Sequence, residues 1–158
     1  MAHHELILLG RVLLAFAISF VIGFERELRG SPAGDCTYAL VGTGAAAIVS
    51  VTERISPQAI GGVVTGIGFI GAGLVFREGS RNIRGMTSAA TIFAVTAVGV
   101  VTGTGHWLLG LLLGVILLID LELRNIPLLA RLDARRYQHM ARDDLAPPGR
   151  SVAPDDPV

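Results

Sequence analysis

The sequence predicts an all-α membrane protein with about five transmembrane helices. Of its 158 residues, 51% are hydrophobic and only 16% are charged, and the mean hydropathy is +0.60. A soluble domain of this size typically has about 25% charged residues. The chain also has 20 glycines, and glycine is commoner in membrane helices than in soluble ones. A soluble core would need far more polar surface than this composition offers.

The apolar residues form five runs, which cover approximately Leu6–Phe24, Tyr38–Val51, Ile60–Phe76, Met86–Val101 and Trp107–Leu123. A helix that crosses the hydrocarbon core needs about 20 apolar residues, with a range of about 17–25. The first, third and fifth runs reach this length, and the second and fourth are short by a few residues. We expect all five to span the membrane, with residues 1–124 as the transmembrane domain.

The distribution of arginine predicts the orientation, because cytoplasmic loops collect basic residues. The connections after the first, third and fifth runs hold the arginines, whereas the alternate set has only Arg54 between runs. The N-terminus is therefore expected outside and the C-terminus in the cytoplasm. Residues 125–142 are expected to form a basic juxtamembrane helix, lying on an anionic leaflet or solvated as a tail. Residues 143–158 are expected to be disordered.

The stretch "TGIGFIGAG" contains a G-x-G-x-x-G pattern at Gly66, Gly68 and Gly71. A dinucleotide site needs a preceding strand and an acidic residue about 20 positions later, and neither is present. The alternative is helix packing in lipid, which small residues at such spacings promote. This interpretation makes the third span central, with packing glycines Gly61, Gly62, Gly66, Gly68, Gly71 and Gly73. A helix broken near the midplane, which would expose backbone groups to an ion, is the other possibility.

Charged residues at the predicted cytoplasmic ends of the spans are the candidate functional groups. They form a predicted polar cluster of Glu25, Arg26, Glu27, Arg29, Arg77, Glu78 and Asp120. Glu25 and Arg29 are four residues apart on one helix face and are expected to pair. The alternative interpretation is an ordinary helix end in the headgroup region. Arg11, inside the first span, is expected to reach the outer interface or to pair with Glu5.

Span four carries polar residues Thr87, Ser88 and Thr91, which we expect to satisfy backbone carbonyls or bridge to a neighbouring helix. In the Leu-rich fifth span, Gly110 and Gly114 are a second packing pair. No enzyme constellation is evident, because the four histidines are scattered over both predicted sides and Cys36 has no adjacent base. We therefore expect no catalytic residues and no cofactor; the pattern assigns no metal ligands, and the balanced charge gives no indication of nucleic-acid binding.

Four ordered blocks resemble the membrane domain of the MgtC/SapB family. They are "GFERELRG", "TYALVGTGAA", "TGIGFIGAG" and "IRGMTSAATIFAVTAVG", and the resemblance covers roughly Leu8 to Leu123. It implies a bacterial inner-membrane protein linked to adaptation to low magnesium and, in pathogens, to survival in host cells. The resemblance further implies that such a protein acts by contacting membrane machinery such as the F-type ATP synthase.

The chain departs from the family pattern at two places. Cys36 stands where members often have an arginine, and only a short tail follows Leu123 where many members carry a soluble domain. Two functions remain: a regulator that forms homo-oligomers and contacts other membrane proteins, or a small channel or transporter for an ion such as Mg²⁺. Both predict the same topology.

Overall fold

Five helices in sequence order make up most of the chain. The computed structural model describes residues 2–52, 56, 58–78 and 82–123. The helices are α1 (Ala2–Leu28), α2 (Asp35–Thr52), α3 (Gln58–Leu74), α4 (Met86–Gly103) and α5 (Trp107–Leu123). The five predicted helices are confirmed. Between α3 and α4, the strands β1 (Phe76–Glu78) and β2 (Asn82–Arg84) form an antiparallel hairpin, which was not expected from the sequence.

The lengths of the helices differ from the expectation. Among the described residues, three helical segments are long and apolar enough to cross a membrane: His3–Leu28, Asp35–Thr52 and Met86–Gly103. Helices α2 and α4 are each 18 residues long, or about 27 Å at 1.5 Å per residue. They are longer than the predicted apolar runs because polar residues at their ends continue the helix. Helix α3 is an apolar helix of 17 residues, since Val75 and Phe76 leave the helix for the hairpin. Helix α5 also has 17 residues.

Successive helices alternate in direction. Gly23 near the end of α1 lies against Asp35 at the start of α2, and Leu74 at the end of α3 lies against Gly85, just before α4. Ser31, after α1, contacts the first turn of α4. These four helix termini form what we call the hairpin end. The opposite end, the turn end, includes the start of α1 and the α4–α5 turn.

The core lies between α1, α2 and α4, and α4 also contacts α3. Ile22, Val49 and Val95 are fully buried. The α2–α4 contact depends on glycine: a Cβ at Gly103 would lie 2.8 Å from the carbonyl oxygen of Ala46, and one at Gly99 would overlap the carbonyl oxygen of Gly42. The helix that packs on several sides is therefore α4.

The expectation of a central third span is wrong, because α3 lies at the edge of the bundle, where Ile67 is its buried residue. A Cβ would meet nothing within 4 Å at five of the six predicted packing glycines, namely Gly61, Gly62, Gly66, Gly68 and Gly73, and at Gly71 the nearest atom is 3.8 Å away, in Ala89. A packing role for this face thus stays a prediction for contacts outside the chain. The broken-helix alternative is not observed, since α3 is continuous.

Helix α5 packs through its two glycines, as the sequence predicted. A Cβ at Gly110 would overlap Thr102 of α4, and a Cβ at Gly114 would overlap Ile18 of α1. The first compact unit ends at Asp120, and a second comprises Leu121–Val158. The predicted juxtamembrane helix and disordered tail lie outside the described residues, as does Arg124.

The outer surface of the bundle is strongly apolar. On α1, the rings of Phe16, Phe20 and Phe24 stack at one-turn intervals, with centroids 5.9 and 6.4 Å apart, and all three are exposed. Leucine and isoleucine side chains cover the exposed faces of α5. A soluble protein rarely exposes so large a continuous apolar surface, and together with the helix lengths it indicates a membrane protein.

Candidate functional site

The end of α1 positions four of the seven residues of the predicted polar cluster, namely Glu25, Arg26, Glu27 and Arg29. Gly30 has a φ of 66°, which glycine adopts without steric cost. Its N–H donates to the Glu27 carbonyl at 2.9 Å, and the N–H of Ser31 donates to the Arg26 carbonyl at 3.1 Å. This Schellman motif ends the helix sharply and directs the chain toward α2, leaving the charged residues in the last two turns of α1.

Glu25 and Arg29 form the expected pair on one face of α1. The Arg29 Nε contacts Oε1 of Glu25, and only 12% of the Glu25 side chain is exposed, against 26% for Arg29. The second carboxylate oxygen, Oε2, is buried and has no hydrogen-bond partner in the described part of the chain. A buried carboxylate oxygen without a donor is costly, so this oxygen is a candidate acceptor for a hydrogen bond from a ligand.

Arg26 lies on the face of α1 that points into the bundle. It continues the buried stripe of Ala15, Ser19 and Ile22, at spacings of four, three and four residues. Its Nε is buried without a hydrogen-bond partner among the described residues. An ionisable group that faces the interior of a membrane bundle is a functional candidate, and a functional role for Arg26 stays a prediction.

Glu27 has a structural contact that the sequence did not predict. Its Oε2 accepts a hydrogen bond from the backbone N–H of Asp35 at 3.0 Å, and Asp35 Oδ1 accepts one from the N–H of Cys36 at 2.5 Å. Both carboxylates thus satisfy N–H groups at the start of α2, where negative charge is favourable. Glu27 fixes the entry of α2 beside the end of α1, and Cys36 remains a free, exposed thiol.

A cluster of hydroxyl groups connects the segment after α1 with α2 and α4. The Oγ atoms of Ser31 and Ser88 are 2.8 Å apart, and the Tyr38 hydroxyl donates to the carbonyl of Ser88 at 3.3 Å. Tyr38 is fully buried and Ser88 is 2% exposed. The contact from Ser88 to a neighbouring segment agrees with the expected bridge. Tyr38 was missed, although a tyrosine in an otherwise apolar helix was a usable signal, because buried tyrosines normally find a polar partner.

The hydroxyls deeper in α4 bond to their own helix. Thr91, Thr96 and Thr102 each donate to the carbonyl four residues earlier, at 2.7, 2.9 and 2.8 Å. Thr87 supplies the carbonyl that accepts from Thr91, and its side chain is exposed. The helix begins after Gly85, which is its N-cap without a side-chain hydrogen bond. These threonines are therefore internally satisfied.

The remaining predicted cluster residues are placed only in part. Arg77 and Glu78 belong to β1 at the hairpin end, and their side chains lie outside the described part of the structure. Asp120 lies near the end of α5 and is exposed. The structure thus brings Glu25 and Arg29 together and uses Glu27 at α2, while a complete seven-residue cluster stays a prediction.

At the turn end, Arg11 makes a contact that was not predicted. Its NH1 donates to the carbonyl of Gly103 at 3.0 Å, an unpaired acceptor at the end of α4. Gly105, with a φ of 91°, leaves the space that the guanidinium fills, since a Cβ there would lie 2.6 Å from NH2 of Arg11. This hydrogen bond therefore connects the first turns of α1 to the end of α4.

The family model described as the MgtC family matches residues 12–126. The chain belongs to the MgtC family. It is 44% identical to Protein MgtC of Brucella abortus over 96 residues, which cover 58% of this chain and 40% of that protein. Identity is 41% to Protein MgtC of Salmonella typhimurium over 100 residues, 61% of this chain and 43% of that protein.

A third relative, Protein SrpB of Synechococcus elongatus, is 38% identical over 120 residues, 65% of this chain and 66% of that protein. The chain thus spans about two fifths of the length of the MgtC relatives it matches and just under two thirds of SrpB. No solved structure matches it.

The region matched by the MgtC family includes the whole hairpin end and the α2–α4 contact, from Glu25 to Gly103. The resemblance recognised from the four sequence blocks is thereby confirmed. Arg11 stands one residue before the matched range, so its contact with Gly103 links the first turns of α1 to the family region.

Proposed function

We propose that this MgtC-family protein is a non-enzymatic regulator of the bacterial inner membrane, acting through its hairpin end on another membrane protein during adaptation to low magnesium or host stress. The observation that carries the proposal is the close packing of α4 against α2. Gly99 and Gly103 bring α4 into backbone contact with α2, and the threonines of α4 bond to their own carbonyls. A close contact between these two helices favours a surface that contacts a partner over a path for ions between α2 and α4.

The proposed orientation has the N-terminus outside and the C-terminus in the cytoplasm. The hairpin end carries Arg26 and Arg29 and, in sequence, the arginines of the α3–α4 connection, which the positive-inside rule assigns to the cytoplasm. Trp107, 60% exposed at the start of α5, would then lie at the outer interface, where tryptophan is enriched.

The F-type ATP synthase is the partner class that the family resemblance implies. The test measures ATP-driven proton pumping in inverted membrane vesicles with and without the full chain. We expect the chain to lower pumping, and Glu25→Gln to weaken this effect, because the substitution removes the charge paired with Arg29. Glu5→Gln is the matched control, since Glu5 is an exposed glutamate in the first turn of the same helix. Equal pumping with and without the chain would exclude this partner.

A channel or transporter for an ion such as Mg²⁺ is the second candidate. It is favoured by one specific observation: the hydroxyl of Ser19 and Oε2 of Glu25, both on α1, are buried with no hydrogen-bond partner among the described residues. Polar groups of this kind can mark a place that water or an ion occupies.

Flux into liposomes that contain only the purified protein separates the two candidates. The regulator proposal expects no flux above empty liposomes for Mg²⁺, K⁺ or protons. Mg²⁺ flux that Glu25→Gln abolishes and Glu5→Gln retains would replace the regulator by the transporter.

A further inference from the structure

The edge helix α3 presents small residues on the side that faces away from its own bundle. Ile67 points inward, and the opposite side carries Gly62, Gly66, Phe69 and Gly73 at spacings of four, three and four residues. A Cβ at any of these glycines would meet nothing within 4 Å. The exposed faces of α1 and α5 carry large apolar side chains along their length, whereas on α3 the exposed large residues are Val64, Phe69 and Ile70 and the stripe itself is mostly glycine.

An open apolar groove lies beside this stripe, between α2 and α3. Its volume is about 620 Å³, and its walls include Leu40, Gly44 and Ile48 of α2. Gly62 and Gly66 of the same stripe form part of the opposite wall. The groove is therefore continuous with the small-residue face of α3.

Phe69 protrudes from the stripe next to the groove and is 81% exposed. A protruding aromatic side chain and an apolar groove thus occur on one surface of one molecule. An interface with two-fold symmetry needs such a self-complementary surface, because each copy supplies the same patch. Two copies with the same orientation in a membrane are related by an axis along the membrane normal, which places Phe69 of each copy at the depth of the other's Phe69. That depth lies between Ile67 and Ile70 of the partner's groove wall.

The geometry points to a second copy of this chain as the occupant: two α3 helices pack through the Gly62–Gly66–Phe69–Gly73 stripe, and each Phe69 enters the partner's groove. A 17-residue helix is about 25 Å long and about 10 Å wide, so two such strips bury roughly 500 Å². Two phenylalanine side chains and the groove walls that they cover add roughly 600 Å². The total, about 1,100 Å², clears the roughly 1,000 Å² expected of a biological interface and lies just below the range of stable ones.

This inference is independent of the proposed function, since a dimer forms whether or not another protein is regulated. Its test is disulfide crosslinking in membranes of single-cysteine variants in a Cys36→Ser background. Gly62→Cys and Gly66→Cys should form dimers, because a disulfide needs Cα atoms within about 7 Å. Gly61→Cys and Gly68→Cys are matched controls on the other side of α3, where a Cβ also meets nothing, and they should stay monomeric.

A second arm tests the aromatic contact. In the Gly62→Cys variant, Phe69→Ala should lower the crosslinking rate roughly tenfold, the factor that corresponds to 1.4 kcal/mol. Phe93→Ala, at an exposed phenylalanine of α4, should leave the rate unchanged. Dimers at Gly61→Cys and Gly68→Cys but not at Gly62→Cys and Gly66→Cys would overturn the inference, as would crosslinks only to a different polypeptide or no crosslinks at any position.

Discussion

The close contact of α4 with α2 makes Gly103 the most informative single substitution. In Gly103→Ala, the new Cβ would lie 2.8 Å from the Ala46 carbonyl oxygen and 3.1 Å from the Ala46 Cα. Ordinary contact begins near 3.4 Å, so the two backbones must separate by about 0.6 Å. Both of these atoms belong to the Ala46 backbone, which cannot move aside as a flexible side chain would. The carbonyl of Gly103 also accepts the hydrogen bond from Arg11.

The expected cost follows from two opposing effects. Overpacking a well-packed interior costs about 1–3 kcal/mol. Replacing glycine by alanine within a helix raises the free energy of unfolding by up to about 1 kcal/mol through helix propensity, and this gain offsets part of the overpacking cost. Gly10→Ala measures that gain separately, because Gly10 is inside α1 and a Cβ there meets nothing within 4 Å. We therefore expect Gly103→Ala to be less stable than Gly10→Ala by about 1–3 kcal/mol.

The assay is equilibrium unfolding of the purified protein and both variants in the same detergent. Circular dichroism before unfolding checks that each variant has the same helix content. If Gly103→Ala were as stable as Gly10→Ala, α4 and α2 would not be in backbone contact, and the argument from their close packing would fail with it.

Two further stability measurements concern the hairpin end. Gly85→Ala should lower the free energy of unfolding by more than about 2 kcal/mol, because left-handed backbone strain of about 1–2 kcal/mol adds to an overlap of the new Cβ with the Leu74 carbonyl. Gly30→Ala is the control, because Gly30 also has a positive φ but an open Cβ position, so this variant should show the strain alone. Equal losses of stability in the two variants would contradict the close contact at Gly85. Tyr38→Phe should cost about 0.5–1.5 kcal/mol through loss of the hydrogen bond to the Ser88 carbonyl, and unchanged stability would show that the bond contributes nothing.

Much of the architecture was accessible from the sequence, since it depends on periodic features of single segments. The five helices follow from apolar runs, and the Glu25–Arg29 pair follows from the four-residue spacing on one face. The α3–α4 hairpin was not accessible, because strands of three residues give no alternation to detect. Contacts such as that of Arg11 with Gly103 join residues 92 positions apart, and no local pattern reports them.

The glycines show why spacing alone misplaced the central helix. Gly62 and Gly66 of α3 have the same four-residue spacing as Gly99 and Gly103 of α4, yet only the second pair touches another helix in the chain. The difference lies in the residues beside them. A core needs large side chains to fill its volume as well as glycines to let backbones approach, and α4 supplies both.

On α4, Ile92, Val95 and Val98 lie buried beside the glycines. On the outward stripe of α3, Phe69 is the one large residue, and it is exposed. A stripe of this composition cannot fill a core within its own chain. It can bring a second backbone close while its aromatic side chain fills a groove elsewhere, which is the arrangement that a two-fold partner provides.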